Sequence, residues 1–569
     1  AVAFLSAHSD TDECAVAQHV VALAAADAQS RDRQDHDRTH HVGYWLIGAG
    51  RPRTERDLRV RLSAREHIWR AVQRFPSWFY FVPIVAITLA GVLLALPQDA
   101  SLRPAYAVLL AVLVAIAVSH LGVALVNWAA TRDIAPRALA RLDFSAGIPA
   151  RWRTLVIVPC MLGNAAEVDE LLRALEVRSM GNRDEELLFG LLTDFVDAPQ
   201  RSMPDDGLLL ARAVAGVQAL NARRTAGHAA RFFLFGRDRV HNDQDGFWMG
   251  WERKRGKLIA LCRFLRGHPP DDFHLHVGDE AALRSIAFVI TLDADTELPP
   301  DCARRLVATM AHPLNRPVRD ARQHRIVAGY GVLQPRVSVG ASPHGASRLA
   351  RLFSEEIVLD PYTGIVSNSE QDLYGESSYI GKGIFDVDAF MWAAGARFPE
   401  QRVLSHDLLE GGFARTGFAS DIELYERYPD SYRTDMSRRH RWTRGDWQIA
   451  AWLLPWVPGP RGQRVRNTLA LHYRLKVLDN LRRSLVPMAL LLILLQGWLI
   501  DTHPAAWMLL VSLVVFAPVV LMIGQRFLAR NPRTPWRLHW RQSAGVARRM
   551  LAQAALPLVM LPFEAVHWL

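Results

Sequence analysis

Two long runs without a single Lys, Arg, Asp or Glu constrain this chain more than any other feature: "WFYFVPIVAITLAGVLLAL", Trp78 to Leu96, and "AYAVLLAVLVAIAVSHLGVALV", Ala105 to Val126. As helices, such runs are long enough to cross the roughly 30 Å hydrocarbon core of a bilayer, and the aromatics at their starts suit its interface. Two further runs come late, Leu485 to Ile500 at the short limit and Ala505 to Gly524, and the apolar end of the chain, from about Leu551, opens another. Buried core helices are usually shorter and keep a polar stripe, so these runs read as membrane spans.

Charge then orients them. The flank Arg51 to Arg74 and the loop Gln525 to Met550 are rich in Arg, whereas the connectors Pro97 to Pro104 and Asp501 to Pro504 are nearly uncharged or acidic. By the positive-inside rule both basic flanks, and the large region between the second and third spans, face the cytoplasm. A net charge of +10 admits membrane surfaces, nucleic acids and phosphorylated substrates as partners. Nucleic acid is disfavoured, because the arginines gather beside apolar runs without a nucleic-acid-binding motif. The four cysteines have no metal-ligand or redox spacing, which indicates structural thiols in a reducing compartment. Nothing near Ala1 has the pattern of a cleavable signal peptide, and the apolar C-terminal end reads as a piece of a longer chain.

Four regions are expected: a small helical and basic segment over 1–74, two spans over 78–126, a globular region over 130–480, and spans again over 485–569. In the globular region, "RTLVIVPCML" precedes a helical stretch from Asn164 to Arg178, and "ELLFGLLTDFVD", "ARFFLFGR" and "SIAFVITLDAD" follow. Strands alternating with helical patterns imply an α/β domain with a largely parallel sheet.

The stretch "FVITLDADTELPPD", Phe288 to Asp301, ends a buried strand on Asp293, Asp295 and Glu297, and the two prolines forbid further pairing. Open α/β sheets hold ligands at such ends, and carboxylates two residues apart share a hard cation through oxygen. An EF-hand loop needs Gly at its sixth position, where this chain has Leu298. A phosphatase of the haloacid-dehalogenase type would carry Thr or Val where Glu297 stands. A structural reading, in which the acids solvate a strand end or cap a helix near Asp301, stays open at this point.

Further on, "RVLSHDLLEGG" sets Asp407 and Glu410 in apolar surroundings, as a general base requires. In "SRRHRWTRGDWQIAAWLLPW", Arg438, Arg439, Arg441 and Arg444 match phosphate oxyanions or a membrane-facing edge, while Trp442, Trp447, Trp452 and Trp456 recur at helix-like intervals. "ESSYIGKGIFD" reads either as an ordinary glycine-rich turn or as a sugar path, with Gly381 and Lys382 on backbone open to close approach and Tyr379 as a stacking face.

The order "VPC", "TDF", "ERKRGK", "LDADT", "SHDLLEG" and "RRHRW" resembles the processive membrane glycosyltransferases of GT-A (Rossmann-like) fold. More narrowly, "HVGYWLIGAGR", "GWERKRGK", "LDADTELP", "MAHPLNRP", "GYGVLQPRV", "YGESSYIGKGIFDVDAF" and "RRHRWTRGDWQIAAWLLP" resemble the glycosyltransferase region of cyclic β-1,2-glucan synthases. The resemblance implies a UDP-glucose donor, a glucan acceptor, Mg²⁺ or Mn²⁺, a place in the bacterial inner membrane, and later ring-closing and chain-trimming (phosphorylase) domains outside these residues. It assigns Asp194 to the uracil end of the donor and Lys257 to the donor-binding basic segment. It makes Asp293 and Asp295 the metal and diphosphate motif, and Asp407 the base. Arg438, Arg441 and Trp442 match the diphosphate-binding, acceptor-shaping signature "QxxRW". Arg438 stands where that signature has Gln, and His406 where related synthases have Glu. Another processive synthase, the phosphatase and a non-enzymatic membrane module are the alternatives; the scarcity of polar residues in the first four spans counts against a transport path.

Overall fold

A computed structural model of the chain describes all residues except 29–35, 97–102, 133–137, 224–230, 244, 341–345, 355–364, 404–405, 531 and 569. Most of the connector expected at 97–104 lies outside the described residues, as do two positions of "RVLSHDLLEGG". The N-terminal region is helical: after Val2–Ala7, the helix Glu13–Ala28 packs through Val20 and Ala24 against Trp45 of the short helix Val42–Leu46.

The globular region is built on one eight-stranded sheet. In chain order its strands are β1 (Thr154–Leu162), β2 (Leu187–Phe195), β3 (Phe232–Arg237), β4 (Phe273–Val277), β5 (Phe288–Thr291), β6 (Val332–Val339), β7 (Gly383–Asp386) and β8 (Thr416–Glu426). Their spatial order is β8-β6-β7-β5-β1-β2-β3-β4. Pairings β1–β2, β1–β5, β2–β3 and β6–β8 are parallel, while β7 lies antiparallel to β5 and β6, and β4 to β3.

The central strands are almost continuously apolar because both sheet faces are covered. Leu155, Ile157, Leu192 and Phe235 point to the core shared with helices Arg253–Leu265, Val387–Ala394 and Asp407–Ala414. Val156, Val158, Leu191 and Leu234 point to the core shared with helices Ala165–Gly181, Asp206–Ala222 and Cys302–Met310. Pro159 is tolerated inside β1 because pairing with β5 has already ended at Ile157.

Among the described residues three helices are long and apolar enough to cross a membrane, Pro76–Ala95, Pro104–Ala130 and Pro504–Leu528. Trp536–Val559 and Leu561–His567, bent by 61°, supply a fourth crossing if they act as one span. The segment expected as the third span, 485–500, forms the second half of the 29-residue helix Leu471–Leu499, which begins inside the globular core with Tyr473 and Val477 and ends in the apolar bundle with Leu490 and Ile493. The tryptophan series divides likewise, because its helix, Tyr432–Gln448, stops after Trp447; Trp452 is buried beyond it and Trp456 lies in a short strand.

Candidate functional site

Carboxylates gather at the carboxyl end of β5. The last bond from β5 to β1 is Leu292 N–H to Ile157 O at 3.1 Å, and the chain then turns, with Thr296 N–H donating to Asp293 O. Glu297 exchanges backbone hydrogen bonds with Tyr425, at 2.7 and 3.3 Å, which fixes the end of β8 beside this turn. As a result, oxygens of Asp293, Asp295 and Glu426 lie within 4.8 Å of one another. The capping alternative gains nothing from Asp301, whose side chain makes no capping bond to the following helix. Glu426 escaped the sequence reading, since in "DIELYERY" it is one acid of an alternating strand and its partners are set by long-range pairing.

The antiparallel register explains the lysines. Gly383 pairs with Thr291, so the two residues before Gly383 run past the acids. Lys382 Nζ lies 3.1 Å from Asp293 Oδ2 and also pairs with Glu426. From the first turn of helix Arg253–Leu265, Lys254 Nζ donates to Asp293 Oδ1 at 2.5 Å and to Gly381 O at 2.8 Å. Burial alone would raise the Asp293 carboxyl, but Lys254 and Lys382 outweigh it and hold the group down at about 2. Asp295 is instead pushed upward by burial, Glu426 and Asp293. An all-oxygen set of three acids fits a hard divalent cation such as Mg²⁺ or Mn²⁺.

A second cluster meets this one across a single glycine. Gly381 has φ +82°, and a Cβ there would stand 2.9 Å from both carboxylate oxygens of Asp407, so its lack of a side chain lets that carboxylate approach. His406 Nδ1 lies 3.2 Å from Asp407 Oδ1 and 3.0 Å from Glu410 Oε2. Burial raises the Asp407 carboxyl, with His406 and Lys254 opposing. Burial would lower His406, yet Glu410 and Asp407 raise it. Asp407, at the start of its helix, keeps its side chain 32% exposed, while Glu410 is sealed beneath it.

Other expected residues stand apart from this centre. Asp194 is buried, receives two bonds from Arg237 at 2.9 and 2.8 Å, and lies 3.2 Å from Lys257 Nζ. Lys257 also donates to Cys160 O at 2.5 Å, so neither Asp194 nor Lys257 presents a free group to solvent. In "KRGK" the lysine that reaches the acids is Lys254. Tyr379 is a correction: its side chain is buried in the core, with its Cβ and backbone N against Gly411, and it offers no stacking face. Arg438, Arg441 and Trp442 ride on helix Tyr432–Gln448, where Arg438 and Arg439 hold the buried Asp435 at 3.0 and 2.8 Å. Arg438 also lies 4.8 Å from the Trp442 ring centroid, and Arg441 and Trp442 are exposed.

No family model matches the chain. Over 568 residues it is 36% identical to the cyclic beta-(1,2)-glucan synthase NdvB of Rhizobium meliloti, an alignment covering 98% of this chain and 20% of that protein. The chain therefore spans one fifth of the length of this curated relative, and along nearly all of its own length it is similar to a region of a cyclic β-1,2-glucan synthase.

Proposed function

We propose that the chain transfers glucose from UDP-glucose to a growing β-1,2-glucan with inversion at the anomeric carbon, on a GT-A-type domain facing the cytoplasm of a bacterial inner membrane. The observation that carries this reading is the meeting of two carboxylate centres across Gly381, with Lys254 bonded to both Asp293 and the Gly381 carbonyl. One centre suits a nucleotide diphosphate and the other suits an acceptor hydroxyl.

Asp407 takes the proton of the acceptor hydroxyl as that oxygen attacks the sugar from the face opposite the departing diphosphate. Glu410 is the weaker base candidate because it is sealed in the core. A divalent cation held by Asp293, Asp295 and Glu426 would neutralise the diphosphate. Lys254 and Lys382 hold Asp293 ionised and carry positive charge to the same spot. The buried Asp194–Arg237–Lys257 cluster forms the floor beneath the donor, and Arg441 and Trp442 stand exposed for the acceptor end.

The test incubates detergent-solubilised protein with UDP-glucose, Mg²⁺ or Mn²⁺ and short β-1,2-glucans, following UDP release and product linkage. Asp407→Asn should lower turnover by roughly 10²–10⁴-fold, the usual contribution of a general base. Asp295→Asn should abolish metal-dependent release. New linkages other than β-1,2 would assign a different polysaccharide, and release indifferent to both substitutions would refute the site.

A further inference from the structure

Between Asp501 and Glu564 the chain carries seven arginines and no acidic residue. Four of them, Arg526, Arg541, Arg548 and Arg549, line one cleft of about 860 Å³, formed where helix Pro504–Leu528 ends and helix Trp536–Val559 runs beside it. Arg526, Arg541 and Arg548 form no ion pair among the described residues. The proposed transfer chemistry uses none of these groups.

The cleft has two kinds of wall. Its polar side is guanidinium, which matches phosphate oxygens in pairs. Its other side is apolar, with Leu352, Val546 and Ala552, and at Gly545 no atom lies within 4 Å of the place a Cβ would occupy. Beside it the surface carries Leu528, Trp536 and Trp540, respectively 87%, 57% and 55% exposed. Exposed tryptophans next to apolar helices mark a membrane interface. A cluster of arginines beside such an interface attracts anionic headgroups.

We infer that this cleft binds the headgroup of an acidic phospholipid, its phosphate on Arg541 and Arg548 and its acyl chains along the exposed apolar helix surface. The site also touches the globular region, because Gln553 Nε2 donates to Leu352 O at 2.8 Å from the helix that lines the cleft. A bound lipid would therefore brace the contact between the sheet domain and the apolar bundle. Arginines that served only to orient the protein in the membrane would need no shared cleft, and this difference is what the experiment reads.

The purified chain in detergent is titrated with dihexanoyl phosphatidylglycerol, with dihexanoyl phosphatidylcholine and with inorganic phosphate, following the thermal unfolding midpoint. Phosphatidylglycerol alone should raise the midpoint saturably. The pair Arg541→Gln with Arg548→Gln, and separately Gly545→Trp, which fills the cleft without removing charge, should each weaken the apparent affinity by about tenfold or more. Arg537→Gln, which removes a charge outside the cleft, should leave it within about twofold. The inference fails if Arg537→Gln weakens the response as much as the cleft variants, or if Gly545→Trp leaves it intact, since surface charge alone would then explain the lipid effect. An equal response to inorganic phosphate would make the ligand a soluble anion and also overturn the lipid assignment.

Discussion

At His406 one ring nitrogen faces two carboxylates, 3.2 Å from Asp407 and 3.0 Å from Glu410. Those acids outweigh burial and raise the imidazole above its ordinary range, which favours its charged form beside the proposed base. Its charge opposes the burial that pushes Asp407 upward. The sign follows. With His406→Gln the opposing charge is gone, the Asp407 carboxyl rises further, and the base is lost to protonation at a higher pH. The acid limb of the profile of kcat/KM against pH should move upward in this variant, with the alkaline side unchanged. A profile that keeps its acid limb while only its height falls would make His406 a packing residue.

Elements explain what was legible in the sequence and what was not. Strand β5 and its acids could be read directly, because an apolar run stopped by two prolines is a local signal. Asp407 could be singled out as well, because an acid set among apolar neighbours is also a local signal, whereas its place at the start of a helix is seen only in the structure. Lys254 and Lys257 sit on one helix three residues apart, and only the packing of that helix against β1 decides that Lys257 turns to Cys160 and Asp194 while Lys254 turns to Asp293. Tyr379 likewise reads as a free aromatic until the helix Asp407–Ala414 covers it. Glu426 is the clearest case, since its place depends on the pairing of Glu297 with Tyr425 across more than a hundred residues. If it completes the acidic set, Glu426→Gln should raise the Mg²⁺ or Mn²⁺ concentration for half-maximal UDP release by about tenfold, because affinity follows the number of charged ligands. Turnover at saturating metal should stay close to that of the unaltered chain. A variant with unchanged metal dependence would leave Glu426 as a structural partner of Lys382 and Thr296.

Across the whole molecule, the proposed chemistry and the apolar bundle share one continuous helix. Leu471–Leu499 is about 43 Å long at 1.5 Å per residue. Its first turns are locked into the globular core, where the Tyr473 hydroxyl donates to Ser377 O at 2.6 Å and approaches Gly411 O at 3.3 Å. Ser377 precedes the segment carrying Tyr379, Gly381 and Lys382, and Gly411 belongs to the helix that Asp407 begins. A single buried hydroxyl thus ties both sides of the Gly381–Asp407 contact to the helix that enters the bundle. Tyr473→Phe keeps the ring and its packing but removes these bonds, at a cost of about 1–3 kcal/mol for a buried donor. Thermal unfolding in detergent should show a lower midpoint. Turnover should fall more than the apparent affinity for UDP-glucose changes, because the loss loosens the base and its glycine partner while Lys254 stays on Asp293. An unchanged midpoint would mean that packing of the ring alone holds the joint, and an effect confined to donor affinity would mean that the helix positions the diphosphate side instead.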